Sequence, residues 1–133
     1  MKSLRHLQTA LLSLWIGLAS AAPTAAPVRA EINTLLTTLQ TSGCQFNRNG
    51  SWYTGAEAKD HLLRKLAGFE DKTTVQNTEQ FIELAATKSS SSGKAYQVKC
   101  GANAQPVESK QWLTGQLVTL RNATSKTQHA TGN

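Results

Sequence analysis

The sequence predicts an α+β domain: about four helices, a small antiparallel sheet of two or three short strands, and one disulfide. Three observations predict it. Apolar residues recur at helical spacing in separate segments of the chain. Asn49-Gly50, a strong hairpin signal, lies between two short aromatic-bearing stretches. Two cysteines, Cys44 and Cys100, stand beside those stretches and far apart in sequence.

Val28, Ile32, Leu35, Leu36 and Leu39 recur at i, i+4, i+7, i+8 and i+11, one helical stripe. The spacing predicts a first helix over 28–41, with Pro27 suited to its start and Gly43 to the stop behind it. Residues 22–27 read as a flexible lead-in. If 45–48 is a strand, Phe46 and Arg48 point opposite to Gln45 and Asn47. Asn49-Gly50 supplies the positive φ angles of a type I′ turn, and Ser51-Trp52-Tyr53 returns. The competing reading makes Arg48-Asn49-Gly50 a connection between two helices. Thr54 and Glu57 have capping-box spacing, so a second helix follows to about Phe69, with Ala58, Leu62, Leu66 and Phe69 on one face. His61 falls at the border of that stripe, where a half-buried histidine with one hydrogen bond is the ordinary expectation.

A polar connection over 70–76 leads to Asn77, a cap for a third helix over 78–87 with Phe81, Ile82, Ala85 and Ala86 on its apolar side. The run Ser89-Ser90-Ser91-Ser92-Gly93 ends it. Serine runs are usually linkers. This one is short and enters 96–100, which alternates as a half-buried strand does and is expected to pair with the hairpin near the disulfide. Pro106 fits the first turn of a fourth helix to about Arg121, with Val107, Leu113, Leu117 and Leu120 toward the core. Residues 122–133 carry almost no apolar side chain and read as a disordered tail.

The first residues have the secretory pattern. Lys2 and Arg5 precede a short apolar run, and Ala19-Ser20-Ala21 offers small residues for a cut after Ala21. The run is too short to cross about 30 Å of hydrocarbon. The early cysteine, Cys44, lies well past the apolar run with an amphipathic segment between, which argues against a lipid anchor. Residues 1–21 are therefore expected to be a cleaved signal peptide, 28–121 one domain, and the location periplasmic. Loss of Lys2 and Arg5 takes the formal charge from +6 to +4, with the remaining cations scattered. Scattered charge suits a solvated surface and weak attraction to anionic envelope polymers, and no nucleic-acid partner is expected. In an oxidising compartment Cys44 and Cys100 are expected to pair, the alternative being buried free thiols. Isolated cysteines and a lone His61 within the domain do not suggest a metal site.

Several blocks, in this order and spacing, resemble the YfeK-like family of small bacterial envelope proteins of unknown function. They are Phe46-Asn47-Arg48-Asn49-Gly50, Ala58 with His61-Leu62 and Lys65, Thr78-Glu79-Gln80-Phe81-Ile82, Ser89-Ser90 with Ser92-Gly93 and Tyr96, and Trp112-Leu113. The resemblance spans about 30–120 and implies a periplasmic domain. It implies no activity, catalytic residue or cofactor.

Three functional readings follow. The first is a non-catalytic module that binds an envelope protein or cell-wall component through Arg48, Asn49, Trp52, Tyr53, Ser92, Gly93 and Tyr96, since aromatics beside an arginine are common at binding hot spots. Against it stands the reading in which Trp52 and Tyr53 cover the core. The second is an inhibitor of a cell-wall lytic enzyme. Ser92-Gly93-Lys94-Ala95-Tyr96 is similar to the S-G-x-x-Y motif of periplasmic lysozyme inhibitors, but their second motif is absent and their fold is a β-barrel. The third is a hydrolase with a nucleophile from 89–92, His61 as base and Asp60 or Glu57 behind it, a geometry that nothing in the spacing supports. The expectation is the first reading, with no catalytic residue, no cofactor and no membrane span after cleavage.

Overall fold

The computed structural model describes residues 21–132, together with Gly17. The expected signal peptide therefore lies outside the described residues apart from Gly17 and Ala21. The elements run α1 (Ala26–Thr41), β1 (Gln45–Arg48), β2 (Ser51–Thr54), α2 (Gly55–Glu70), α3 (Thr78–Ala85), β3 (Gln97–Lys99), β4 (Val107–Glu108) and α4 (Ser109–Ala130). The α+β class, the four helices, the antiparallel sheet and the disulfide are all present. The sheet has four strands in the order β2-β1-β3-β4 rather than two or three.

Local chemistry accounts for the hairpin turn and for three of the helix starts. Pro27 sits in the first turn of α1, where its missing N–H costs nothing. Asn49 (φ 53°) and Gly50 (φ 84°) make the tight turn that sets β1 against β2, with Phe46 opposite Tyr53 and Asn47 opposite Trp52. Thr54 and Glu57 form the full capping box of α2. Asn77 accepts from the Gln80 amide at 2.8 Å and starts α3.

The same face of the sheet carries Phe46 and Val98, paired across β1 and β3. Both are buried, and they close on α2 and α4 with Leu62, Leu66, Leu113 and Leu117. α1 lies on α2 and contributes Ile32, Leu35, Leu36 and Leu39, each fully buried. Burying side chains of this size stabilises the fold by about 1.5–3 kcal/mol each. The disulfide joins Cys44 to Cys100 with Cα atoms 4.1 Å apart. In the β1–β3 register Gln45 pairs Lys99, so the bridge occupies the next rung of the ladder.

Four segments differ from expectation. Residues 107–108 form an edge strand, not a first helical turn; two residues cannot display a strand period, and Pro106 suits a strand edge as well as a helix start. Val107 is accordingly exposed. α4 continues to Ala130 across the segment read as disordered, although its side chains there are exposed. The lead-in is held rather than free: Ala22 and Thr74 exchange hydrogen bonds of 2.9 and 3.0 Å, and Thr24 donates to Glu70, which also pairs with Arg29. The polar connection before α3 hides a core residue, Val75.

Candidate functional site

α2 and the end of β1 bring three basic side chains together. His61 and Lys65 are one turn apart on α2, and so share a face. Arg48 closes β1 beside the turn and, by strand alternation, lies on the same side of the sheet as Phe46 and, across the register, Tyr53. All three basic residues are half-buried.

Their contacts form a chain. Arg48 Nη1 lies 3.0 Å from His61 Nδ1, and Arg48 Nη2 donates to the Tyr53 hydroxyl at 3.4 Å with its guanidinium 5.0 Å from that ring. His61 Nε2 lies 3.1 Å from the Tyr96 hydroxyl. Lys65 Nζ donates to the same hydroxyl at 3.1 Å and to the Lys88 carbonyl at 2.8 Å. Arginine can only donate, so Nδ1 of His61 is an acceptor. The neutral ring then carries its proton on Nε2 and donates to Tyr96. Burial, then the charges of Arg48, Lys65 and Arg64, push His61 down to about 4. Burial and Arg48 also lower Lys65, and burial raises Tyr96 against the opposing pull of Arg48.

The serine run is a folded turn packed against the hairpin. Ser89 N donates to the Lys94 carbonyl and Gly93 N to the Ser89 carbonyl, both at 2.9 Å. Asn49 spans the gap: its Nδ2 donates to Ser89 Oγ at 3.2 Å and its Oδ1 accepts from Ser92 Oγ at 2.6 Å. Gly93 has φ 72°, which an L side chain rarely adopts.

Arg48 and His61 stand between two open clefts. One, of about 310 Å³, has Phe46, Tyr53 and Ala58 on its floor and Glu57, Asp60 and Arg64 at its rim. The other, of about 230 Å³, lies between the basic cluster and Ser89, Ser90 and Ser91, with Asn49 and Tyr96 completing it. No carboxylate lines the second cleft. Among the described residues, neither Arg48 nor Lys65 has a carboxylate within ion-pair distance.

Of the residues expected to form one surface, Arg48, Asn49, Tyr53, Ser92 and Tyr96 do converge. Tyr96 does so from within, 1% exposed, with its ring 5.0 Å from Phe46. Trp52 does not join them. Strand alternation puts it on the opposite face of the sheet, where Lys99 lies 4.6 Å from its ring. Trp52 and Tyr53 are each half-buried. Gly93 contributes the backbone of the turn, through its positive φ and its N–H bond to the Ser89 carbonyl, and no side chain. His61 has two partners where one was expected. Lys65 was not among the expected site residues, although its spacing from His61 could have identified it. The hydrolase geometry is not present: both His61 nitrogens are engaged, and no serine of the run lies within hydrogen-bond distance of either.

Residues 26–121 match the family of unknown function DUF5329. No curated protein and no solved structure matches the chain. The family match covers well over half of the sequence, and the chain belongs to that family.

Proposed function

We propose that this member of the family is a non-catalytic binding module of the cell envelope, and that the Arg48–His61–Lys65 cluster receives an anionic group of a cell-wall component or envelope partner. One observation carries the reading: two half-buried cations share an open cleft system with a neutral histidine and have no carboxylate partner among the described residues. Removing a charge from water costs free energy unless an opposite charge or hydrogen bonds compensate it. Hydrogen bonds to neutral groups, from Arg48 to His61 and Tyr53 and from Lys65 to Tyr96 and the Lys88 carbonyl, offset part of that cost, and an incoming anion would balance the charge itself.

Export to the periplasm is part of the proposal. It draws on the basic, apolar and small-residue pattern of 1–21 and on the disulfide, which persists in oxidising compartments. The resemblance to the YfeK-like family agrees with it. The lytic-enzyme-inhibitor reading draws less support, because Ser92 is spent on Asn49 and Tyr96 is buried.

Co-sedimentation of the oxidised protein with phosphocellulose and carboxymethyl-cellulose at low salt tests the proposal. Replacing Arg48→Met and Lys65→Met together should abolish most of the binding. Replacing exposed Lys72→Met and Lys126→Met removes the same charge and should leave most of it. Equal losses from the two pairs would reduce the attraction to net charge and overturn the reading.

A further inference from the structure

We infer that the cleft beside the serine turn is a site for a phosphate dianion, either inorganic phosphate or a terminal phosphomonoester. The inference rests on the anion-binding reading above and names its ligand. Charge is the first support. The cleft is lined by the guanidinium of Arg48 and the ammonium of Lys65 and by no carboxylate. The wider cleft on the other side of Arg48 has Glu57 and Asp60 at its rim and is unsuited to a doubly negative group. A carboxylate would balance only one of the two cations. A phosphomonoester carries about −1.5 to −2 at neutral pH and balances both.

Donor geometry is the second support. Tyr96 is 1% exposed, and its oxygen receives hydrogen bonds from Lys65 Nζ and from His61 Nε2. Its own O–H proton has no acceptor within hydrogen-bond reach among the described residues, and the side chain lines the cleft. A buried hydroxyl held by two donors and left with an unspent proton is prepared to donate. Arg48 retains N–H groups beyond those directed at His61 and Tyr53, and Lys65 retains one beyond Lys88 and Tyr96. Ser90 and Ser91 add hydroxyls on the open side. The three terminal oxygens of a phosphate can use this many donors, and fork-like contacts from arginine are strong where the acceptor is charged.

The test is calorimetric titration of the oxidised protein with inorganic phosphate, glycerol 3-phosphate and acetate at fixed ionic strength. At pH 7.5, phosphate or its ester should bind at least tenfold more tightly than acetate. The better of the two identifies the source, free ion or ester. Affinity should fall several-fold on lowering the pH through the second ionisation of the ester, at about 6, while that of acetate stays level. Tyr96→Phe, checked for its fold by circular dichroism, should lose about tenfold for phosphate; Lys65→Met provides the same check if the Phe variant does not fold. Equal affinities for acetate and phosphate, or phosphate binding that ignores pH, would overturn the dianion inference and leave the anion site standing. No saturable binding of any of the three would overturn both.

Discussion

Replacing both cysteines, Cys44→Ala with Cys100→Ala, should cost this domain about 4–5 kcal/mol. The bridge spans a sequence separation of 56. Closing a loop of that length removes about 14 cal/mol/K of chain entropy from the unfolded state, or about 4 kcal/mol at 25 °C. Cys44 is 5% exposed, so the smaller alanine adds up to about 1 kcal/mol in lost burial. The native ladder should survive, because Gln45–Lys99, Phe46–Val98 and Asn47–Gln97 pair without help from sulfur. The loss is a large share of the 5–15 kcal/mol that small domains possess. Urea unfolding followed by tryptophan fluorescence measures it. With a slope of about 1–1.5 kcal/mol/M the midpoint should drop by about 3 M, and the slope should rise as the unfolded chain opens. A drop below about 0.5 M would refute the entropic reasoning. Loss of the β1–β3 amide pairing in the folded variant would show instead that the bridge itself holds the register.

Two further outcomes follow from close contacts. His61 is held down near 4 in the fold, against about 6.5 in the unfolded chain. The unfolded chain therefore binds more protons between these values, and the contribution of His61 is full above pH 6.5 and lost as pH falls toward 4. Discounted for solvent at the half-buried ring, this amounts to about 1–2 kcal/mol. Melting curves at pH 7 and 4.5 should show a smaller acid loss for His61→Gln than for the native chain; identical losses would contradict the burial of the His61 ring beside Arg48 and Lys65. Gly55→Ala should destabilise by about 2–3 kcal/mol, although alanine favours helices, because its Cβ would meet the Leu39 carbonyl oxygen at 2.3 Å and Gln40 Cα at 2.9 Å. A neutral or stabilising result in chemical denaturation would show that α1 and α2 are less closely packed than described.

Much of the fold was legible because local chemistry and burial agree. The stripe from Ile32 to Leu39, the Thr54–Glu57 box, the Asn77 cap and the Asn49-Gly50 turn each specify an element unaided. β4 was not legible, since two residues carry no period. Nor was the helical continuation of α4 past Arg121, whose side chains face solvent and leave no apolar stripe. Gly55 gave no sign of its role, because the close approach belongs to α1, not to its own helix. The site divides in the same way. Arg48 and Tyr53 could be read as neighbours of the turn, and alternation alone would have parted Trp52 from Tyr53. That the serine turn folds onto Asn49 and buries Tyr96 between His61 and Lys65 depends on tertiary packing that no short window contains.

The measurement that bears most directly on the anion site is a phosphate titration observed at the side-chain nitrogens by ¹⁵N NMR in the oxidised protein. Saturable shifts should appear at Arg48 Nε and Lys65 Nζ, with the His61 ring following. Shifts that grow without saturation, or spread equally over the exposed Lys72, Lys94 and Lys126, would contradict a built site and leave only the diffuse attraction of a basic surface.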